Sequence, residues 1–148
     1  MTGDKSRRPA TEKVDRLLLQ VADWAAEQDD IRAVLLVGSY ARGNARDNSD
    51  VDLVLLVDDP GRFTQSQAWS AVFGPVERVK KESWGKVTSF RVWYPGGLQI
   101  EFAVASSEWA RLPLDEGSAR VLRDGFRAVY DPGHLFSPVP PHWAAGPD

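Results

Sequence analysis

Cysteine is absent from the 148-residue sequence, and histidine occurs only twice, at His134 and His142. The first absence excludes disulfides, thiolate-bound zinc and a cysteine nucleophile. The second removes the basis for a histidine-rich metal centre, so any metal must be held by oxygen. No apolar run approaches the roughly 18 residues that a membrane span requires. Near the N-terminus, Lys5, Arg7 and Arg8 are followed by polar residues where a secretory signal would need an apolar core. A soluble, cytoplasmic protein without a membrane partner is expected. An excess of basic charge is lacking too. The formal net charge is -3, which argues against broad nucleic-acid binding, a mode that leaves a basic footprint. With 43% hydrophobic and 26% charged residues, the balance is that of one globular domain rather than a disordered segment.

The chain divides into a flexible polar arm over residues 1–10, a domain over residues 11–131 and a Pro-rich C-terminal tail over residues 132–148. The tail holds five of the ten prolines, so it is expected to be irregular. Val14, Leu17, Leu18, Val21 and Ala25 recur at helical spacing, and Thr11 is placed to cap the helix they form. IRAVLLV over residues 31–37 and VDLVLLV over residues 51–57 are short apolar runs rich in β-branched residues, which suit two adjacent central strands. A short helix is expected over residues 64–73, then a break at Gly74 and Pro75 before a more polar strand. Residues 87–94 and 98–105 flank Pro95, Gly96 and Gly97, the pattern of a β-hairpin. Residues 115–124 look helical, and residues 128–130 suit a short edge strand. The order of elements predicts an α+β fold in which a mixed sheet is flanked by helices.

The segment from Val37 to Val57, VGSYARGNARDNSDVDLVLLV, carries the chemistry. Gly38 permits a tight turn, and Ser39 stands where a helix can begin, so free backbone N–H groups and the Ser39 hydroxyl can meet a phosphate. Gly43 is placed to end that brief helix. Asp50 and Asp52 open the next strand. Residues two apart on a strand share a face and lie about 7 Å apart, so their charges repel unless a cation lies between them. Hard oxygen ligands of this kind suit magnesium. Taken alone, an Asp-x-Asp triplet fits loop residues paired with Arg42 or Arg46 better; the Gly-Ser context reverses that preference. Glu101 interrupts the apolar strand formed by Leu98, Ile100, Phe102 and Val104, on the face opposite Ile100 and Phe102. A plain solvent-facing glutamate is the competing reading. Arg42 suits either a phosphate contact or an ion pair with Asp47 or Asp50. Lys80 and Lys81 are expected to be solvated, and Tyr40, Phe90, Trp93 and Phe102 to pack in the core or at an interface.

Gly38-Ser39-Tyr40-Ala41-Arg42-Gly43 followed by Ser49-Asp50-Val51-Asp52-Leu53 resembles the signature of the nucleotidyltransferase superfamily that includes DNA polymerase beta, especially its small prokaryotic members. Ile100-Glu101-Phe102 looks like the third motif of that family, an acidic residue between two apolar ones. The resemblance covers roughly residues 14–130 and is similar in kind to minimal nucleotidyltransferases and to the catalytic domains of aminoglycoside and lincosamide nucleotidyltransferases. It implies the polymerase beta-like fold and transfer of a nucleoside monophosphate, AMP in the first instance, from a nucleoside triphosphate such as ATP to an acceptor hydroxyl of a small molecule. It further implies two magnesium ions, with manganese as a substitute, held by Asp50, Asp52 and Glu101, with Glu101 as general base. Gly38, Ser39, Arg42 and Ser49 are the expected nucleotide-binding residues. Many relatives carry a helical domain or partner for which this chain has no room after Tyr130, so a homodimer or a helical partner protein is expected. Two other functions remain open: modification of a protein or tRNA within a toxin–antitoxin pair, and a nucleotide-binding module without turnover.

Overall fold

The computed structural model describes residues 9–43, 50–84, 87–107 and 125–133. Helix α1 spans Pro9–Ala26, strand β1 Ile31–Val37, helix α2 Ser39–Arg42 and strand β2 Val51–Val57. Helix α3 spans Pro60–Thr64, and a 3-10 helix covers Ala68–Phe73. Strands β3 (Arg78–Trp84), β4 (Val87–Trp93), β5 (Gln99–Ser106) and β6 (Phe126–Tyr130), with a second 3-10 turn at Pro95–Gly97, complete the described elements.

The six strands form one sheet in the order β3-β4-β5-β2-β1-β6. β2 and β5 run parallel, and the other neighbours are antiparallel. This is the expected mixed sheet, with the two apolar runs as neighbours and β6 at an edge. Strand alternation gives the sheet two different faces. On the first, Val34, Leu36, Val51, Leu53, Leu55, Phe90, Val92, Ile100, Phe102 and Val104 are buried against α1, α2, α3 and the 3-10 helix. On the second, a smaller cluster of Ala33, Leu35, Val54, Leu56, Ala105 and Phe126 is buried, with no described helix contributing to it.

Aromatic rings tie the 3-10 helix to the first face. Trp69 meets Phe102 edge-on at 4.9 Å between centroids and stacks on Trp24 at 5.5 Å, while Phe73 stacks on Phe102 at 5.8 Å. Such pairs add to the area they bury. The Trp69 indole donates to the Phe63 carbonyl oxygen, and the Tyr94 hydroxyl donates to that of Ser70 at 2.7 Å. Burial pushes the Tyr94 phenol well above its ordinary range.

Strand β6 begins at Phe126, two residues before the expected start, and two helices also differ from expectation. Helix α1 begins at Pro9, so Thr11 lies inside its first turn; proline fits there because its missing N–H has no intrahelical acceptor to lose. The helix expected over residues 64–73 is a 3-10 helix confined to Ala68–Phe73, and a separate short helix, α3, precedes it. Asp59 caps α3 through the Gly61 N–H at 3.1 Å, with Pro60 as first helical residue, and residues 65–67 separate it from the 3-10 turn. The helix expected over residues 115–124, and the tail beyond Gly133, lie outside the described residues.

Candidate active site

Strand register brings the motif residues together. Val37 of β1 is paired with Asp52 of β2, and Asp52 is paired with Glu101 of β5. The chain leaves β1 at Gly38, which sets the Gly-Ser bend beside the Asp52 side chain. Gly38 has φ +79°, and a Cβ there would collide with the Asp52 carboxylate. Glycine therefore serves two purposes: it adopts the left-handed conformation, and it admits the aspartate against the backbone. Ser39–Arg42 forms one helical turn that ends at Gly43, itself left-handed at φ +77°, whose N–H reaches back to the Ser39 and Tyr40 carbonyls. Tyr40 packs against the core, as expected of it.

Glu101 projects from the second face because Phe102, its neighbour, is locked into the aromatic packing of the first. The Glu101 carboxylate lies on the same face as Asp52 and across the hairpin from Arg91. Arg91 is the residue that sequence reasoning passed over. Its guanidinium is 2.8 Å from Asp50 Oδ2 through Nη1 and 3.1 Å from Glu101 Oε1 through Nη2. One arginine thus spans the acidic residues of two separate motifs. A signal for it exists in the sequence: a hairpin closed at Pro95–Gly97, with the Tyr94 N–H bonded to the Leu98 carbonyl at 2.9 Å, sets Arg91 opposite Glu101.

The pairing continues outward to Lys80, which stands opposite Arg91 on β3 and reaches Glu82 at 3.4 Å. Lys80 is therefore an exposed ion-pair partner. Lys81 points to the other face, donates to the Thr64 carbonyl at 3.1 Å and lies 5.8 Å from the Phe90 ring centroid. Phe90 and Phe102 are core residues, and Trp93 sits under the Arg78 guanidinium at 4.7 Å. Ser49 lies outside the described residues; Arg42 is placed by its backbone at the end of α2.

Asp50, Asp52 and Glu101 supply the hard carboxylate oxygens that magnesium prefers. Among the described residues, no group of three or more acidic or histidine side chains is arranged closely enough to hold a metal ion. The Arg91 guanidinium is paired with the Asp50 and Glu101 carboxylates at once. The donor types fit a divalent cation, and Arg91 stands between two of them. No described helix is long and apolar enough to cross a membrane.

Comparison with solved structures identifies the fold as that of the polymerase beta-like nucleotidyltransferases. The chain is similar to an aminoglycoside 6-adenyltransferase from Bacillus subtilis, with a TM-score of 0.52 and 19% identity over 64% of this chain and 35% of the other. It also matches a CCA-adding enzyme in its apo form, with a TM-score of 0.44 and 22% identity over 75% of this chain and 23% of the other. The chain thus spans about a third of the length of the adenyltransferase and less of the CCA-adding enzyme. No curated protein sequence matches it. Residues 11–121 match the family model for streptomycin adenylyltransferase, and the chain belongs to that family.

Proposed function

We propose that the chain transfers AMP from ATP to a hydroxyl group of a small molecule, with Asp50, Asp52 and Glu101 as the acidic centre. The observation that supports this reading is the register that pairs Asp52 with Glu101 directly beside the Gly38-Ser39 bend. Asp52 and Glu101, from two separate stretches of sequence, are register partners on two parallel strands, and Asp50 precedes Asp52 by two residues. The family supports the class of reaction, and its name points to streptomycin, a hydroxyl-rich small molecule.

In this reading the triphosphate lies on the Gly38-Ser39 bend, with Arg42 and Ser49 assigned to the nucleotide by the motif alone. The acceptor oxygen attacks the α-phosphorus, and its proton passes to the Glu101 carboxylate. The bond from the α-phosphorus to the bridging oxygen breaks, so pyrophosphate leaves with that electron pair. Magnesium or manganese held by Asp50, Asp52 and Glu101 would supply positive charge to the phosphoryl oxygens and to the attacking oxygen. A second copy of the chain, or a helical partner, belongs to the same proposal as the other wall of the acceptor site.

The test is incubation of the protein with magnesium, α-labelled ATP and three acceptor pools: aminoglycosides, tRNA and cell protein. Label on an aminoglycoside is expected, and a chelator should abolish it. Label on a macromolecule would move the acceptor to the other class. ATP binding with no labelled product in any pool would sink the transferase reading.

A further inference from the structure

Arg91 has no part in the proposed transfer, although among the described residues it is the ion-pair partner of both Asp50 and Glu101. Its two bonds run to different carboxylates at 2.8 and 3.1 Å, the lengths of charge-assisted hydrogen bonds. A divalent cation bound by those carboxylates would lie close to the guanidinium, and like charges at such a separation repel strongly away from bulk water. The side chain has somewhere to go. It is 38% exposed and projects from β4, one strand in from the β3 edge.

We propose that Arg91 is an internal counter-cation that competes with divalent metal for Asp50 and Glu101. When a metal ion takes the carboxylates, the guanidinium swings outward into solvent on the Lys80 side of the sheet. Arg91 is thus a positioning residue: it holds the acidic side chains apart and neutralised, and it sets the metal concentration at which the centre assembles. The proposal rests on the reading of Asp50, Asp52 and Glu101 as metal ligands.

The experiment measures manganese binding to the whole chain by the loss of the free-ion electron paramagnetic resonance signal. Parent, Arg91→Gln and Arg91→Lys proteins are compared. Removing two partly screened ion pairs that oppose binding should tighten manganese binding by about tenfold in Arg91→Gln. Arg91→Lys, which keeps the charge and loses the fork, should fall between the two. Equal or weaker binding by Arg91→Gln would overturn the competition and make Arg91 a support for the loaded ligands, while leaving the metal reading intact. Failure of both parent and Arg91→Gln to bind manganese would overturn the metal reading and the competition with it. A second measurement needs no folded variant beyond the one used for assignment. The side-chain 15N resonance of Arg91, identified by its loss in Arg91→Lys, should shift in the parent along the magnesium titration. A resonance unmoved at saturating magnesium would overturn the proposal.

Discussion

The two faces of the sheet are built from the same strands and obey opposite rules. The first is a continuous apolar surface joined by rings, where Phe102 touches both Trp69 and Phe73. The second ends in a row of charge that crosses four strands: Lys80, Arg91, Glu101 and Asp52. Adjacent residues therefore do different work. Phe102 anchors β5 to the helical layer, and Glu101, one residue earlier, inherits a fixed position on the far side. A site assembled on strands gains precision in this way, because the packing of one face sets the geometry of the other.

The largest expected effect is functional and falls on the charged row. Asp52→Asn keeps the shape that fits against Gly38 and removes one carboxylate charge. Activity in the labelled-ATP assay should drop by about a thousandfold or more, the scale of losing a principal electrostatic group. The urea midpoint should move far less than in a core variant, since the substitution keeps the side-chain shape and empties no space in the apolar face. Phe102→Ala should do the reverse in kind. Loss of a fully buried aromatic ring costs about 3–5 kcal/mol, visible as an earlier urea midpoint. Activity, where folded protein remains, should fall only through displacement of Glu101. If Asp52→Asn unfolds as easily as Phe102→Ala, the two faces are not separable and the comparison fails.

Much of this division is legible from residue order. Apolar runs mark β1 and β2, the Pro95-Gly96-Gly97 turn marks the hairpin, and parity puts Glu101 opposite Phe102. Gly43 closes α2 as its position suggests. The neighbourhood of Glu101 and the aspartate strand is expected from the motifs and is what the register shows, but local pattern alone does not supply it. Parity assigns a face but not a neighbour, and β2 meets β5 across a parallel pairing of segments some way apart in the chain, which no local pattern encodes. Arg91 is different: counting back from the turn pairs it with Glu101, yet a lone arginine on a strand looks like any solvated cation until the register is drawn. The early start of α1 and the break at residues 65–67 are smaller matters. The first arises where proline opens a helix, and Asp59 caps α3 as a short helix of its own ahead of the break.

A third, smaller effect sharpens the comparison from the apolar side. Tyr94 is 3% exposed and supplies the hydroxyl that meets the Ser70 carbonyl oxygen. Tyr94→Phe leaves that acceptor without its partner and should cost about 1 kcal/mol at neutral pH, read by urea unfolding. The pH dependence carries a sign. Burial raises the folded-state value of the phenol, so its full contribution is present below the unfolded value of about 10 and falls as pH rises above it. The variant should therefore lose less stability than the parent between pH 9 and about 11. Equal alkaline slopes would mean that Tyr94 ionises freely in the fold.

The smallest effect belongs to the other end of β2, where a second arginine meets a carboxylate. Arg32 Nη2 lies 2.7 Å from Asp58 Oδ2, and Ser107 donates to Asp58 Oδ1 at 3.2 Å. The pair resembles Arg91 with Asp50 but serves one carboxylate rather than two, and both its side chains are exposed. The Arg32 hydrogen bond holds the Asp58 carboxyl below its ordinary value. A depressed folded-state value stabilises the fold above the unfolded value of about 3.9, and that contribution is lost as pH falls through the folded one. Asp58→Asn should shift the urea midpoint at pH 7 less than Tyr94→Phe does, and the shift should shrink further in high salt. Near pH 3 the parent and variant should draw together, because the parent carboxylate is then losing its charge. A gap that stays constant down to pH 3 would show that the Asp58 side chain acts through its shape or its bond to Ser107. The charge at this end of the strand would then be incidental, in contrast to the other end, where it is the substance of the site.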